Sequence, residues 1–281
     1  MTWKIIADSG CDFQSLDNLA IDTTFESVPL TIQIGDEVFV DNADLDIDSM
    51  MEKMYATAIA SKSACPSPDD YMKAYEGADN IFVVTITGTL SGSHNSAQVA
   101  KKIYLEEHPK ANIHVIDSLS AGGEVDLIVE QLNHFIKQGL SFDEIVQAIT
   151  AYQAKTKLLF VLAKVDNLVK NGRLSKLIGT VVGLLNIRMV GEASQDGKLE
   201  LLQKARGGKK ALASAIDEVL KAGYKGGKII IAHRNNLKFC QQFSEAIQKN
   251  FPEAQISILS TSGLCSFYAE EGGLLMGYEI D

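Results

Sequence analysis

Thr85-Ile-Thr-Gly-Thr-Leu-Ser-Gly-Ser-His-Asn95 is the stretch from which the rest of the chain can be read. It follows an apolar run, Ile81-Phe-Val-Val84, that predicts a buried strand. It leads into Ser96-Ala-Gln-Val-Ala-Lys-Lys-Ile-Tyr-Leu105, whose apolar positions predict an amphipathic helix. Between the two lie five hydroxyl side chains (Thr85, Thr87, Thr89, Ser91, Ser93) and the glycines 88 and 92. Such a turn puts small side chains and free backbone N–H groups at a helix N-terminus, where they suit an anion. An ordinary N-cap and turn would use the same residues, so this loop alone leaves both readings open.

Working outward, the same strand-to-turn pattern recurs on both sides. Trp3–Ala7 predicts a first parallel strand ending at Asp8-Ser-Gly-Cys-Asp12. Asn112–Ile116 predicts another, running into Asp117-Ser-Leu-Ser-Ala-Gly-Gly-Glu124 and a helix from about Val125 to Lys137. Open α/β sheets place their sites past the carboxyl ends of strands, which makes Asp8, Ser9, Asp117 and Ser118 candidates to support a site. The alternative is that these side chains only satisfy turn amides.

Between these turns, Ser27–Gln33 and Glu37–Val40 predict an antiparallel excursion about Gly35-Asp36. Asp46 or Asp48 caps a helix to about Ala60, with Met50, Met51, Met54 and Tyr55 as core. Pro66 keeps Cys65 extended, and Ser67-Pro68-Asp69-Asp70 opens a helix, so Ser61–Cys65 reads as a rigid extended segment. Ser141-Phe-Asp-Glu144 is a capping box for a helix to about Lys155. The pattern changes there, which places a domain boundary between residues 1–155 and 156–281.

In the second half, Lys157–Ala163 predicts a strand. Asn171-Gly172 ends a short helix, from which Arg173 projects, and Leu177–Leu185 predicts a helix rich in small residues. Asn186–Ala193 and Lys198–Ala205 flank Gln195-Asp-Gly-Lys198, a hairpin signal. Helices over Gly207–Ala222 and to Asn250 alternate with strands Lys228–Ala232 and Gln255–Leu259. A Ser- and Gly-bearing closing stretch precedes a last strand through Glu279. The expected fold is α/β in two lobes: a mostly parallel N-terminal sheet with flanking helices, and a C-terminal α/β lobe containing a β-hairpin. The alternation predicts largely parallel sheets in both halves.

Composition narrows the function. The chain has 281 residues, 46% of them hydrophobic, and a formal net charge of −10, with 26 basic against 36 acidic residues. That balance argues against nucleic-acid and anionic-membrane binding. Four widely spaced cysteines (Cys11, Cys65, Cys240, Cys265) predict reduced thiols and a cytoplasmic protein. No signal peptide is read at Met1–Ala7, and Leu177–Ile187 is too short to span a bilayer, so no stable membrane insertion is expected. Dinucleotide and phosphate-loop fingerprints are absent. His94, His114 and His233 lack metal-like spacing, so neither a metal nor a cofactor is expected.

Taken together, the loops resemble the DegV family of bacterial fatty-acid-binding proteins. The resemblance spans the chain: Asp8-Ser9 with Asp12; Ser63 with Pro66-Ser67-Pro68; Leu90-Ser-Gly-Ser93 with Ser96-Ala97; Ile116-Asp-Ser118; Gly172-Arg173; and the Asp196-Gly197 hairpin. It implies a non-catalytic carrier that buries a long-chain fatty acid between the lobes and presents its carboxylate to a separate kinase subunit. The kinase would form an acyl phosphate for phospholipid synthesis. The implied carboxylate-binding groups are the hydroxyls of Ser63 and Ser91, with the Gly92 and Ser93 amides, and Arg173 is implied near the head group. Many family members have a His-Thr-Gly-Pro-Gly turn near the C-terminus. Here Tyr268-Ala-Glu-Glu-Gly272 stands in its place, so Tyr268 takes the His position and Glu270 or Glu271 would repel an anion if either faced the pocket. The rival reading is a hydrolase or transferase acting on a small anionic substrate through Ser91 or Cys65, although no base lies at a telling spacing from either.

Overall fold

The computed structural model describes residues 1–175 and 186–281, so the helix expected at Leu177–Leu185 lies outside the described residues. Four strands make the first sheet: β1 (Trp3–Asp8), β2 (Thr23–Val28), β6 (Asn80–Thr85) and β7 (Asn112–Asp117), in the order β2-β1-β6-β7 and all parallel. Every residue of β6 is buried, which explains its unbroken apolar sequence. Helices α2 (Pro68–Tyr75) and α3 (Ser93–Glu107) cover one face, where Tyr71, Tyr75, Ala97 and Ala100 pack on Ile6, Ile81 and Val83. Helices α4 (Gly123–Lys137) and α5 (Phe142–Gln153) cover the other, with Val125, Ile128, Ile145 and Ile149 on Ile5, Phe82 and Val84.

The excursion differs from expectation. Thr23–Val28 joins the parallel sheet, and the chain then breaks at Pro29-Leu30 before β3 (Thr31–Ile34) and β4 (Glu37–Val40) form the expected antiparallel hairpin. The extended segment at Ser61–Cys65 supplies a third strand, β5 (Lys62–Ala64), paired antiparallel with β3 so that Ser63 lies opposite Ile32. Asp46 does cap α1 (Ile47–Ala56), accepting from the Ser49 amide at 3.0 Å, but the helix stops well before Ala60. Met50, Met51 and Met54 are buried as expected, whereas Tyr55 is 45% exposed and no part of the core. Both capping boxes, at Ser67/Asp70 and Ser141/Glu144, are present.

The second sheet runs in the order β10-β9-β8-β13-β11-β12. Its strands are β8 (Thr156–Leu162), β9 (Ile187–Ala193), β10 (Leu199–Arg206), β11 (Lys228–His233), β12 (Gln255–Ser260) and β13 (Leu274–Glu279). Only β11 and β12 pair in parallel, so the expectation of a largely parallel second sheet is wrong. The last strand, β13, inserts antiparallel between β8 and β11, a pairing set by distant sequence rather than by local alternation. Alternate residues of β8 face opposite ways. Leu159 and Val161 pack under α7 (Gly208–Lys221) and α8 (Leu237–Asn250), while Leu158, Phe160 and Leu162 face inward with Leu275 of β13.

Helix α4 lies between the two sheets. A Cβ on Gly123 would overlap the Ile230 carbonyl and the Gly277 amide, so glycine there permits the close approach. Short helices α6 (Asp166–Lys170) and α9 (Gly263–Ala269) complete the inner wall. The sequence shows α9 only as part of the Ser- and Gly-bearing closing stretch, because seven residues are too few to show a period.

Candidate functional site

The loop after β6 is shorter than the sequence suggested, because α3 starts at Ser93 rather than Ser96, with Gly92 as its N-cap. Its hydroxyls divide the work. Thr87 Oγ1 donates to the Gly197 carbonyl at 2.9 Å and Thr89 Oγ1 to the Asp196 carbonyl at 2.6 Å, docking the hairpin tip of the second sheet onto this loop. Gly197 has φ +71°, and a Cβ there would overlap Thr87 Oγ1, so the contact depends on glycine. Thr85 Oγ1 donates to Ile116 O at 3.4 Å. Ser93 Oγ is fully buried, donating to Asp8 Oδ2 and lying 2.6 Å from Tyr71 Oη. Ser91 Oγ accepts from the Ser93 amide at 3.2 Å, and its proton has no acceptor among the described residues.

Ser91 therefore faces a cavity of ≈ 320 Å³ between the first-sheet loops and the inner face of the second sheet. The walls are overwhelmingly apolar: Leu158, Phe160, Leu162 and Leu275 from the sheet, Leu30 and Ile86 from the loops, and Leu264 and Ala269 from α9. The polar groups are few. Ser63 on β5 and Tyr268 on α9 share a hydrogen bond of 2.8 Å across it. Arg173 joins them, its Nε donating to Leu90 O at 3.3 Å and its Nη1 to Asn171 O at 2.5 Å, with the guanidinium 6.0 Å from the Tyr268 ring centre. Asn171 in turn donates to Ser61 O at 3.0 Å, tying the Arg173 turn to the strand that bears Ser63.

The structure thus brings Ser63, Ser91, Gly92, Arg173 and Tyr268 to one cavity, and leaves the Ser93 side chain behind it. Asp8 supports the loop from below: it accepts from Ser93 Oγ and from the Gly10 and Ile86 amides, and burial pushes its carboxyl up to about 6. Asp117 Oδ1 accepts from Gly88 and Leu119 amides at 3.0 Å each, bracing the same loop. Ser9 Oγ accepts from the Leu30 amide at 2.9 Å, whereas Ser118 only closes a local turn with Ser120. Neither glutamate of the altered turn enters the cavity. Glu270, at φ +53°, turns back to accept from the Asn167 amide at 3.1 Å, and Glu271 lies outside beside Arg234 and Asn235.

Two contributors were not foreseen. The Leu158-Phe160-Leu162 face was hidden in a continuous apolar strand, where sequence cannot say which side meets a cavity. Asp41 was also missed; it seats α9 by accepting from the Gly263 and Leu264 amides, both at 2.7 Å. Among the described residues, Ser91 Oγ and Cys65 Sγ have no hydrogen bond to a base; the Cys65 sulfur lies 4.0 Å from Ser96 Oγ. No group of three His, Cys, Asp or Glu side chains could hold a metal among those residues, and all four cysteines are free. No described helix is long and apolar enough to cross a membrane.

Comparison with known proteins identifies the family and the fold. A family model described as "Uncharacterised protein, DegV family" matches residues 2–279. The chain is 77% identical over 280 residues to a DegV domain-containing protein of Streptococcus gordonii, covering all of both. It superposes with a TM-score of 0.99 on the Streptococcus pneumoniae Fatty Acid Kinase (Fak) B3 protein loaded with linoleic acid, at 77% identity and full coverage of both chains. A DegV family protein from Eubacterium eligens loaded with heptadecanoic acid gives a TM-score of 0.96 at 39% identity, again with full coverage of both. This chain belongs to the DegV family.

Proposed function

We propose that the protein is a carrier that binds one long-chain fatty acid in the cavity between the two sheets and offers its carboxylate to a separate kinase subunit. The observation that carries this reading is the cavity's asymmetry: apolar walls with a few polar side chains, among them Ser63, Ser91, Arg173 and Tyr268, while the Thr87 hydroxyl is taken up by the Gly197 carbonyl. Its volume lies near the lower end of the range of about 300–1,000 Å³ usual for ligand pockets. Burial contributes about 0.8 kcal/mol per CH₂, so an alkyl tail provides most of the affinity and the polar groups fix its direction.

In this reading the Ser91 hydroxyl donates to the carboxylate, together with Ser63 or its partner Tyr268. Arg173 favours the ionised head group, the form that can attack a phosphoryl group. Gly92 contributes closeness: with no side chain it lets the loop backbone approach Cys65 and the ligand, and it leaves the Ser93 amide to hold Ser91. Asp8, Ser9 and Asp117 act through the loops they brace, and Ser118 only through its own turn. The unit consists of residues 1–155 and 156–281, joined through α4 and the Thr87–Gly197 contact. The fatty-acid-loaded relatives, one of them named as a fatty-acid kinase protein, support the ligand class and the partner. The reading is tested by titrating the delipidated protein with long-chain acids and the matching alcohols. Acids should bind tightly and alcohols at least tenfold more weakly; equal affinity would remove the carboxylate from the account.

A further inference from the structure

A pair of buried acids lies behind α9. Asp12 follows β1, Asp126 sits in the first turn of α4, and they are 8% and 0% exposed. One oxygen of each is satisfied. Asp126 Oδ1 accepts from the Asp12 amide at 2.8 Å and the Cys11 thiol at 3.1 Å, and Asp12 Oδ1 accepts from the Ser262 amide at 2.7 Å. The remaining oxygen of each, Oδ2, is buried and has no hydrogen-bond partner among the described residues. Two adjacent ionised carboxylates cannot be kept out of water in that way, and such pairs hold a proton instead. The charges that act on the pair make ionisation harder still, since Asp41 and Glu130 are both acids, and burial keeps the neighbouring Cys11 and Cys265 thiols protonated.

We propose that Asp12 and Asp126 share one proton, and that this bridge positions α9 on the cavity wall. Asp12 holds the Ser262 amide at the start of α9, and Ser262 Oγ donates to Ser9 O at 2.9 Å, so the helix bearing Leu264, Tyr268 and Ala269 is seated on the acid pair. Removing the proton would place two like charges beneath the first residue of that helix. Burial pushes Asp12 up to about 7 and, with the Asp12 charge, pushes Asp126 well above the usual carboxylate range. A carboxyl raised on folding stabilises the protein fully below its unfolded pKa of about 4 and loses that contribution as pH rises through its folded value. The bridge should therefore fail on the alkaline side.

The effect on lipid retention rests on the carrier reading; the shared proton does not. The full chain, lipid-free, would be labelled with ¹³C at the aspartate carboxyls and titrated by NMR. Amide hydrogen exchange over residues 262–270 would be followed from pH 5.5 to 8.5, corrected for the intrinsic rate. At least one carboxyl should keep a protonated shift above pH 6. Protection of the segment should fall at least tenfold at the alkaline end, with no such step in Asp126→Asn, which retains an acceptor for the Asp12 amide and cannot ionise. Both carboxyls titrating near pH 4, or an unchanged step in Asp126→Asn, would overturn the bridge. If that variant does not fold, the wild-type carboxyl titration decides alone. A step retained in a protein that takes up no fatty acid would support the bridge and refute the carrier reading.

Discussion

Replacing Ser91 by alanine removes a single hydroxyl whose only hydrogen bond among the described residues is the one it accepts from the Ser93 amide, so its proton is left for a ligand. A hydrogen bond to a charged group contributes about 1.5–3 kcal/mol, so Ser91→Ala should raise Kd for a long-chain acid roughly 10–150-fold. Ser63 shares its hydrogen bond with Tyr268, which remains able to donate, so Ser63→Ala should cost less, on the order of 1 kcal/mol. The double variant should be weaker than either. The tail is untouched by these changes. Shortening the acid by two methylenes should therefore cost wild type and variants alike about 1.6 kcal/mol, roughly 15-fold, at 0.8 kcal/mol per CH₂. Displacement of a fluorescent fatty acid across a chain-length series gives both quantities, with circular dichroism confirming an unchanged fold. Parallel lines offset by the hydroxyl loss are expected. An unchanged Kd in the double variant would refute the assignment, and altered slopes would place these serines beside the tail.

Other consequences follow from the same contacts. On the proposed carrier reading, Arg173→Ala should lower acyl-phosphate formation by a fatty-acid kinase subunit at saturating lipid; a change confined to lipid affinity would remove Arg173 from the proposed transfer step. The Asp8 carboxyl is fully buried and raised from 3.8 to about 6, so stability should be lost as pH rises from about 4 through 6, by up to about 3 kcal/mol at 1.36 kcal/mol per unit. Asp8→Asn should flatten thermal denaturation across that window, and an unaltered pH slope would contradict the cause given. Gly197→Ala strains a left-handed position and meets Thr87, so it should cost about 1–3 kcal/mol in urea unfolding; no loss of stability would mean the hairpin tip does not rest on the loop.

Much of the first sheet was legible because its strands end in polar, glycine-bearing turns and two of its helices, α2 and α5, begin with capping boxes, both of which are local signals. Ser63 and Ser91 entered through the family resemblance; the residues themselves showed only that Pro66 keeps one segment extended and that the other is a hydroxyl-rich turn before a helix. What escaped the sequence is non-local. The place of β13 between β8 and β11 depends on pairing with β8 across more than a hundred residues, and β2 was obscured because Pro29 divides a run that looked continuous. Thr87 and Thr89 read as generic donors, yet their acceptors are carbonyls of a hairpin more than a hundred positions away. The glutamates of the altered C-terminal turn threatened an anion site on charge alone. Backbone direction removes that threat, since positive φ at Glu270 turns its carboxylate toward α6.

The most direct test of the carrier account is native mass spectrometry of the purified protein, followed by denaturation and identification of what is released. The account predicts one long-chain fatty acid per chain, regained after delipidation and incubation with such acids. A protein that remains empty after that incubation would contradict it.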